Sequence, residues 1–206
     1  MNYTTLPSRD RINAAIESVK LRGIAVELVE SKEEALAKVT AMIPAGSNVM
    51  SGGSVTLKQV GLEEELKSGN HSWKNLRGEI LAEKDPVKQA ALRKQATLAS
   101  YFLGSVQAVA ESGEIVIVSA TGSQLSPYAY SSQNIIWVAG AQKIVPTLDD
   151  ALRRIREYAL PMEDQRMKNS GINAGSFIGK ILIIEREAAY LRRALTLLLV
   201  NEVLGF

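Results

Sequence analysis

Asn48-Val49-Met50-Ser51-Gly52-Gly53-Ser54-Val55-Thr56 is the stretch on which the reading of this chain turns. Pro44-Ala45-Gly46-Ser47 breaks what precedes it, Asn48 to Met50 is a short apolar run of strand type, and Ser51 to Ser54 leads into a helix beginning near Val55. Strand, glycine turn and helix in that order form the junction from which α/β folds are built. The same junction suits an anion. Two glycines let the backbone approach closely, a helix start presents unpaired N–H groups and a positive dipole end, and Ser51, Ser54 and Thr56 add hydroxyls. Ser51, Gly52, Gly53, Ser54 and Thr56 are therefore candidate ligand-binding residues. Neither G-x-G-x-x-G nor Gly-Lys-Ser/Thr occurs, so the usual nucleotide fingerprints are absent, and the alternative to an anion site is a glycine pair that serves close packing.

Working outward, the upstream chain reads α-β-α. From Ser8 to Leu21, Ile12, Ala15, Ile16 and Val19 recur at helical spacing before Gly23, Ile24 to Val29 is a strand, and Ser31-x-x-Glu34 is a capping box opening a second helix. Downstream, Gly61 and Gly69-Asn70 punctuate the acidic stretch Leu62 to Lys67. Asn70 to Lys84 shows no period and reads as a surface excursion, and Asp85-Pro86 opens a helix to about Ala99. The second half carries the short apolar runs Gln107 to Ala110, Ile115 to Val118, Ile135 to Val138, Ile181 to Ile184 and Leu195 to Val200, as a sheet covered on both faces requires. Glu111-Ser112-Gly113-Glu114 predicts an antiparallel hairpin inserted in a mainly parallel sheet. Thr147-x-x-Asp150 caps a helix that Pro161 ends, and Met162 to Gly179 reads as a loop.

Composition narrows the function classes. The 206 residues fit one domain, 1–206, and 46% hydrophobic against 22% charged residues is an ordinary globular balance. Twenty-four Lys and Arg against 22 Asp and Glu, interspersed along the helices, leave no nucleic-acid footprint; Arg153-Arg154-Arg156 and Arg192-Arg193 read as solvated faces. With no cysteine there is no disulfide, thiolate zinc site, cysteine-held iron–sulfur cluster or Cys nucleophile, and no metal site or cofactor is indicated. Met1 to Arg11 lacks the apolar core of a leader and no run has membrane-spanning length, which predicts a cytoplasmic protein with no membrane partner.

Three further places bear on chemistry. Glu111, at a strand end, is a candidate base or nucleophile, or equally a solvated hairpin carboxylate. Thr121 and Gly122, after the strand Ile115 to Val118, predict a second polar rim. Lys143, just beyond Ile135 to Val138, is placed to neutralise an anion from across the cleft. His71, the only histidine, reads as surface or structural, Trp137 as core and Trp73 as a loop anchor.

Several motifs in order resemble one family. These are Ser51-Gly52-Gly53-Ser54-Val55-Thr56-Leu57, Tyr101 to Gly113, Ala120-Thr121-Gly122-Ser123, Trp137 to Pro146 and Glu202-Val203-Leu204-Gly205-Phe206. Together they are similar to the LUD (lactate-utilisation, LutC-type) domain over roughly Arg9 to Phe206. The resemblance implies an open, mainly parallel Rossmann-like sheet with helices on both faces and a ligand cleft at the strand ends, as in ribose-5-phosphate isomerase, glucosamine-phosphate deaminase and coenzyme A transferases. It implies a glycine turn that holds phosphate or coenzyme A groups, and a nucleophilic role for Glu111 through its Glu-x-Gly turn. Two departures stand out: Ser170 to Phe177 has no Cys where some members are Cys-rich, and Gln142 takes a place that is often Asn.

The expected function is a non-redox component supporting oxidation of lactate to pyruvate. Such a component would bind a small anionic ligand or iron–sulfur partner subunits. The alternatives are an isomerase or acyl- or coenzyme A-transferase-like enzyme on an anionic substrate, and a non-enzymatic interaction protein. A homo-oligomer stays open.

Overall fold

The computed structural model describes residues 2–171 and 175–206, so part of the segment compared with the Cys-rich stretch, residues 172–174, lies outside the described residues. The upstream half follows its caps. Helix α1 (Arg9–Leu21) starts where the Ser8 side chain accepts from Arg11 N–H, strand β1 is Ala25–Val29, and α2 is Lys32–Met42. The Ser31 hydroxyl accepts from Glu34 N–H, while the Glu34 carboxylate reaches back to Glu30 N–H at 2.9 Å rather than to Ser31. Strand β2 (Asn48–Ser51) runs through the glycine turn into α3 (Val55–Val60), and α4 is Leu62–Ser68.

The stretch from Asn70 to Lys84 is not a featureless excursion. It carries a two-residue strand β3 (Lys74–Asn75) and helix α5 (Leu76–Ala82), capped by the Asn75 side chain accepting from Gly78 N–H. Trp73 anchors it, buried and donating from Nε1 to the Ile43 carbonyl at 3.1 Å. Helix α6 (Pro86–Gln95) then leads by a 3₁₀ turn to strand β4 (Tyr101–Gly104), a short run that sequence reading passed over. Strands β5 (Ala108–Ala110), β6 (Ile115–Ser119), β7 (Asn134–Gly140) and β8 (Ile144–Val145) follow.

The helix capped by Thr147 does not stop at Pro161. Helix α7 (Leu148–Arg154) widens into a π turn over Ile155–Ala159 and continues as α8 (Leu160–Asn169). The wider turn admits Pro161 as an N-terminal residue of α8, where its missing N–H costs no hydrogen bond. The N-terminal half of the expected loop is therefore helix. Strands β9 (Lys180–Ile184) and β10 (Ala194–Val200) complete the chain.

Six strands form an all-parallel sheet in the order β1-β10-β7-β4-β2-β3. The hairpin expected at Glu111–Glu114 is present, β5 antiparallel to β6, but it forms the middle of a second sheet, β8-β5-β6-β9. The chain leaves the parallel sheet after β4, and the outer edges of the hairpin are taken by β8, parallel to β5, and by β9, antiparallel to β6, rather than by strands of the first sheet.

Alternation explains why β7 and β10 are continuously apolar. Ile135, Trp137 and Ala139 with Leu195, Leu197 and Leu199 pack toward α1 and the second sheet. Ile136, Val138, Leu198 and Val200 pack toward α2, α3 and α4. Both faces are covered, so the strand interiors are apolar apart from Thr196, buried in β10. Among the described residues no helix is long and apolar enough to cross a membrane.

Leu198→Ala should cost about 2–5 kcal/mol, read as a lower urea midpoint at unchanged slope, because the cavity opens between two rigid layers. Leu21→Ala, on a side chain 78% exposed, should change stability by less than about 0.5 kcal/mol.

Candidate functional site

The C-terminal ends of β2, β4 and β7 come to one edge of the parallel sheet, where open α/β sheets place their ligands. Beside them, β6 of the second sheet ends at Ser119, and the facing wall comes from α8. Between them lies a cleft of about 240 Å³ lined by Gly53, Ser54, Thr56, Ser105, Gln107, Thr121 and Lys143, with Leu160, Glu163 and Phe206 opposite. Glu163, the acidic member of that wall, is engaged by both arms of Arg166 at 2.7 Å each.

Lys143 is the centre of the site. The 3₁₀ turn Ala141–Lys143 after β7 directs its side chain inward, where it is 2% exposed. Its Nζ donates to Thr56 Oγ1 at 3.0 Å and to the Val106 carbonyl at 3.1 Å, and stands 3.1 Å from Ser105 Oγ. Among the described residues no carboxylate lies within ion-pair distance. Burial, reinforced by the charge of Arg154, holds the amine well below the usual lysine range.

Arg154 is the second buried cation. It is fully enclosed, donates from Nη1 to the Gln107 carbonyl, and leaves Nε and Nη2 without partners. Its guanidinium lies 5.2 Å from the Tyr158 ring centre and 5.7 Å from that of Tyr3, a cation–π arrangement in place of an ion pair. Burial pushes its pKa down to about 10.

The two glycines of the turn have different reasons. A Cβ at Gly52 would meet the Gln124 amide at 2.2 Å, so Gly52 is a packing glycine. A Cβ at Gly53 meets nothing within 4 Å, so its bareness serves only the open space in front of it. Ser54 caps α3 by accepting from Leu57 N–H at 3.3 Å. Because α3 spans only 6 residues, its dipole is small, and among the described residues lining the cleft Lys143 is the one basic side chain.

The sequence-predicted residues divide into three groups. Gly53, Ser54, Thr56, Thr121 and Lys143 share the cleft. Ser51 and Gly52 face an adjoining hollow of about 260 Å³ that also meets Gly53, Gln124, Arg77 and Arg93. Gly122 sits just behind the rim in the left-handed region, its N–H donating to Ser119 Oγ at 2.9 Å. Glu111 is not among the residues lining either space. It lies at the far end of β5 from Gln107, bound to the Arg11 guanidinium at 2.5 Å, and so does not face the glycine turn.

Sequence reading missed Ser105, Gln107, Arg77 and Arg93, and misread two arginines. Arg154 is buried rather than solvated, and the Arg193 side chain is 4% exposed and paired with Glu187 at 3.4 Å. A signal existed for Arg154: it sits three residues after Ala151 and one before Ile155, on the apolar stripe of α7.

The depressed Lys143 amine has a stability consequence. Below the ordinary lysine value of 10.5 the unfolded chain takes up a proton that the folded chain refuses, so stability falls with falling pH until the folded pKa is reached. As pH falls from about 10 through the neutral range, wild type should lose stability relative to Lys143→Met, measured by urea melts of both proteins. A difference flat across that range would show that the amine is charged in the fold.

Comparison with known proteins agrees with this architecture. A DUF162 family protein of known structure from Deinococcus radiodurans superposes with a TM-score of 0.56 at 10% identity, over 95% of this chain and 99% of that one, a likeness of fold. No curated protein matches the chain. The family profile described as the LUD domain matches residues 12–195, a span that holds β1 to β9 and the cleft residues named above apart from Phe206, and the chain belongs to the LUD-domain family.

Proposed function

We propose that the cleft seats a small carboxylate- or phosphate-sized anion against Lys143, and that the chain is the non-redox component of a cytoplasmic lactate-utilisation system. Iron–sulfur partner subunits would carry the electrons. The observation that carries the reading is a pair of buried basic side chains, Lys143 and Arg154, with no carboxylate within ion-pair distance of either among the described residues. Desolvating a charge costs several kcal/mol, and an anion entering the cleft supplies the counter-charge that lets the amine take up its proton. Thr121 and Ser54 add hydroxyls on the cleft wall, suited to a hydroxy acid such as lactate. The absence of cysteine within these 206 residues supports placing cysteine-held clusters on a partner.

A second reading is favoured by the adjoining hollow. Arg77 donates to the Gly52 carbonyl at 3.1 Å, and Arg77 and Arg93 lie across the Gly53–Gln124 wall from Lys143. A longer ligand, one anionic end at Lys143 and a phosphate at the arginines, fits a sugar phosphate or coenzyme A thioester better than lactate.

A thermal-shift series with lactate, pyruvate, inorganic phosphate, a sugar phosphate and coenzyme A separates the two. At about a hundred times its dissociation constant a ligand of the folded state stabilises by about 2.7 kcal/mol. Gly53→Leu should abolish the shift without loss of basal stability, since a Cβ there meets nothing within 4 Å. Binding should strengthen as pH falls, because the anion favours the protonated amine. Arg93→Ala should weaken only the phosphate-bearing ligands. A shift unchanged by Gly53→Leu places the ligand elsewhere.

A further inference from the structure

We propose that Ser105 and Lys143 form a hydroxyl–amine pair that transfers acyl groups, with Ser105 Oγ as nucleophile and Lys143 Nζ as its general base, acting on a small ester or thioester. The proposal rests on the cleft reading above, because the carboxylate seated on Lys143 is the product of such a transfer to water.

The hydrogen bonds around Nζ assign the roles. The Val106 carbonyl only accepts, so it takes one N–H of the amine. Thr56 Oγ1 directs its own hydrogen to the Leu204 carbonyl, so it takes the second N–H. A neutral amine then has one lone pair left, and the remaining neighbour is the Ser105 hydroxyl at 3.1 Å. The other acceptors in reach of that hydroxyl, Thr56 Oγ1 at 3.3 Å and its neighbour's carbonyl at 3.5 Å, are farther away. Nucleophile, base and a group orienting the base within hydrogen-bond reach are the working parts of hydroxyl catalysis, and lysine serves as base where no carboxylate holds its proton. Ser105 lines the cleft and at 9% exposure is more accessible than Thr56 at 1%.

The step balances without a co-reactant other than water. Lys143 Nζ takes the Ser105 proton as Oγ bonds to the acyl carbon, and the new ammonium lies beside the developing oxyanion. The bond to the leaving alcohol or thiol breaks, and that group leaves with the proton from Lys143. Water then gives a proton to Lys143 and bonds to the acyl carbon, the Ser105 ester bond breaks, and Ser105 recovers its proton. Ester plus water becomes carboxylic acid plus alcohol, or thiol from a thioester.

p-Nitrophenyl acetate tests the step in the intact protein. Wild type should show a burst of p-nitrophenolate and one acetyl group on Ser105 by peptide mass spectrometry. Ser105→Ala should lose both, and Lys143→Met should slow acylation by about 10²–10⁴-fold with the circular dichroism spectrum kept. Acetyl mapped to Lys143 or to any other residue, or a burst that survives Ser105→Ala, overturns the proposal.

The cysteine-free chain offers a second measurement if Lys143→Met fails to fold. The single thiol of Ser105→Cys should be alkylated by iodoacetamide at neutral pH far faster than an ordinary thiol, whereas a profile rising only near the usual thiol pKa of about 8.5 overturns it. Calorimetry of wild type with lactate and phosphate keeps the two readings apart. Anion binding without acylation defeats acyl transfer alone, and acylation without anion binding defeats the anion reading alone.

Discussion

The amine of Lys143 joins parts of the chain that meet nowhere else in sequence. It reaches from the end of β7 to α3 through Thr56 and to the β4–β5 connection through Ser105 and Val106, so one side chain ties the ends of three neighbouring strands. The C-terminal segment is drawn into the same knot. Thr56 and Gln142 both donate to the Leu204 carbonyl, and Gly205, left-handed at φ 63°, has no room for a Cβ beside Thr56. A charged amine here would be desolvated without a counter-ion, which explains why the fold favours its neutral form.

The two-sheet architecture supplies the walls around that knot. A parallel sheet alone offers only the edge formed by its strand ends. The second sheet, leaving the first immediately after Ser105, brings Gln107 and the end of β6 over that edge, and α8 closes the far side. Arg154 is buried at the seam, where its guanidinium holds the Gln107 carbonyl. Gln107 in turn takes Val118 N–H on its side-chain oxygen at 2.9 Å, so the hairpin and the cleft wall are set by the same residue.

In the two proposals, anion binding and acyl transfer use two protonation states of one arrangement: the lone pair of Lys143 faces Ser105 for acyl transfer, and the amine is charged and paired when the proposed carboxylate is seated. The glycine turn, which looked on sequence like the anion holder, contributes mainly space: Gly53 is bare toward the cleft, Gly52 makes room for Gln124, and the six-residue α3 has little dipole.

What the sequence determined by itself were the parts governed by neighbours along the chain. The caps at Ser31, Asp85 and Thr147 open their helices where the sequence places them, the apolar runs of β7 and β10 announce a sheet covered on both faces, and β2 runs into its helix through two glycines. Four-residue β4 and the Asn75-capped α5 were too short for periodicity to separate from loop, and Pro161 broke a rule that a π turn suspends. Tertiary structure alone decided the site. Glu111 sits at a strand end as expected, but at the end pointing toward Arg11, because β5 runs away from the cleft. Ser105 and Arg154 gained their places from contacts 38 and 47 residues distant in sequence. Burial and charge pairing are properties of such non-local contacts, and no local pattern encodes which of several similar arginines, serines or carboxylates will be enclosed.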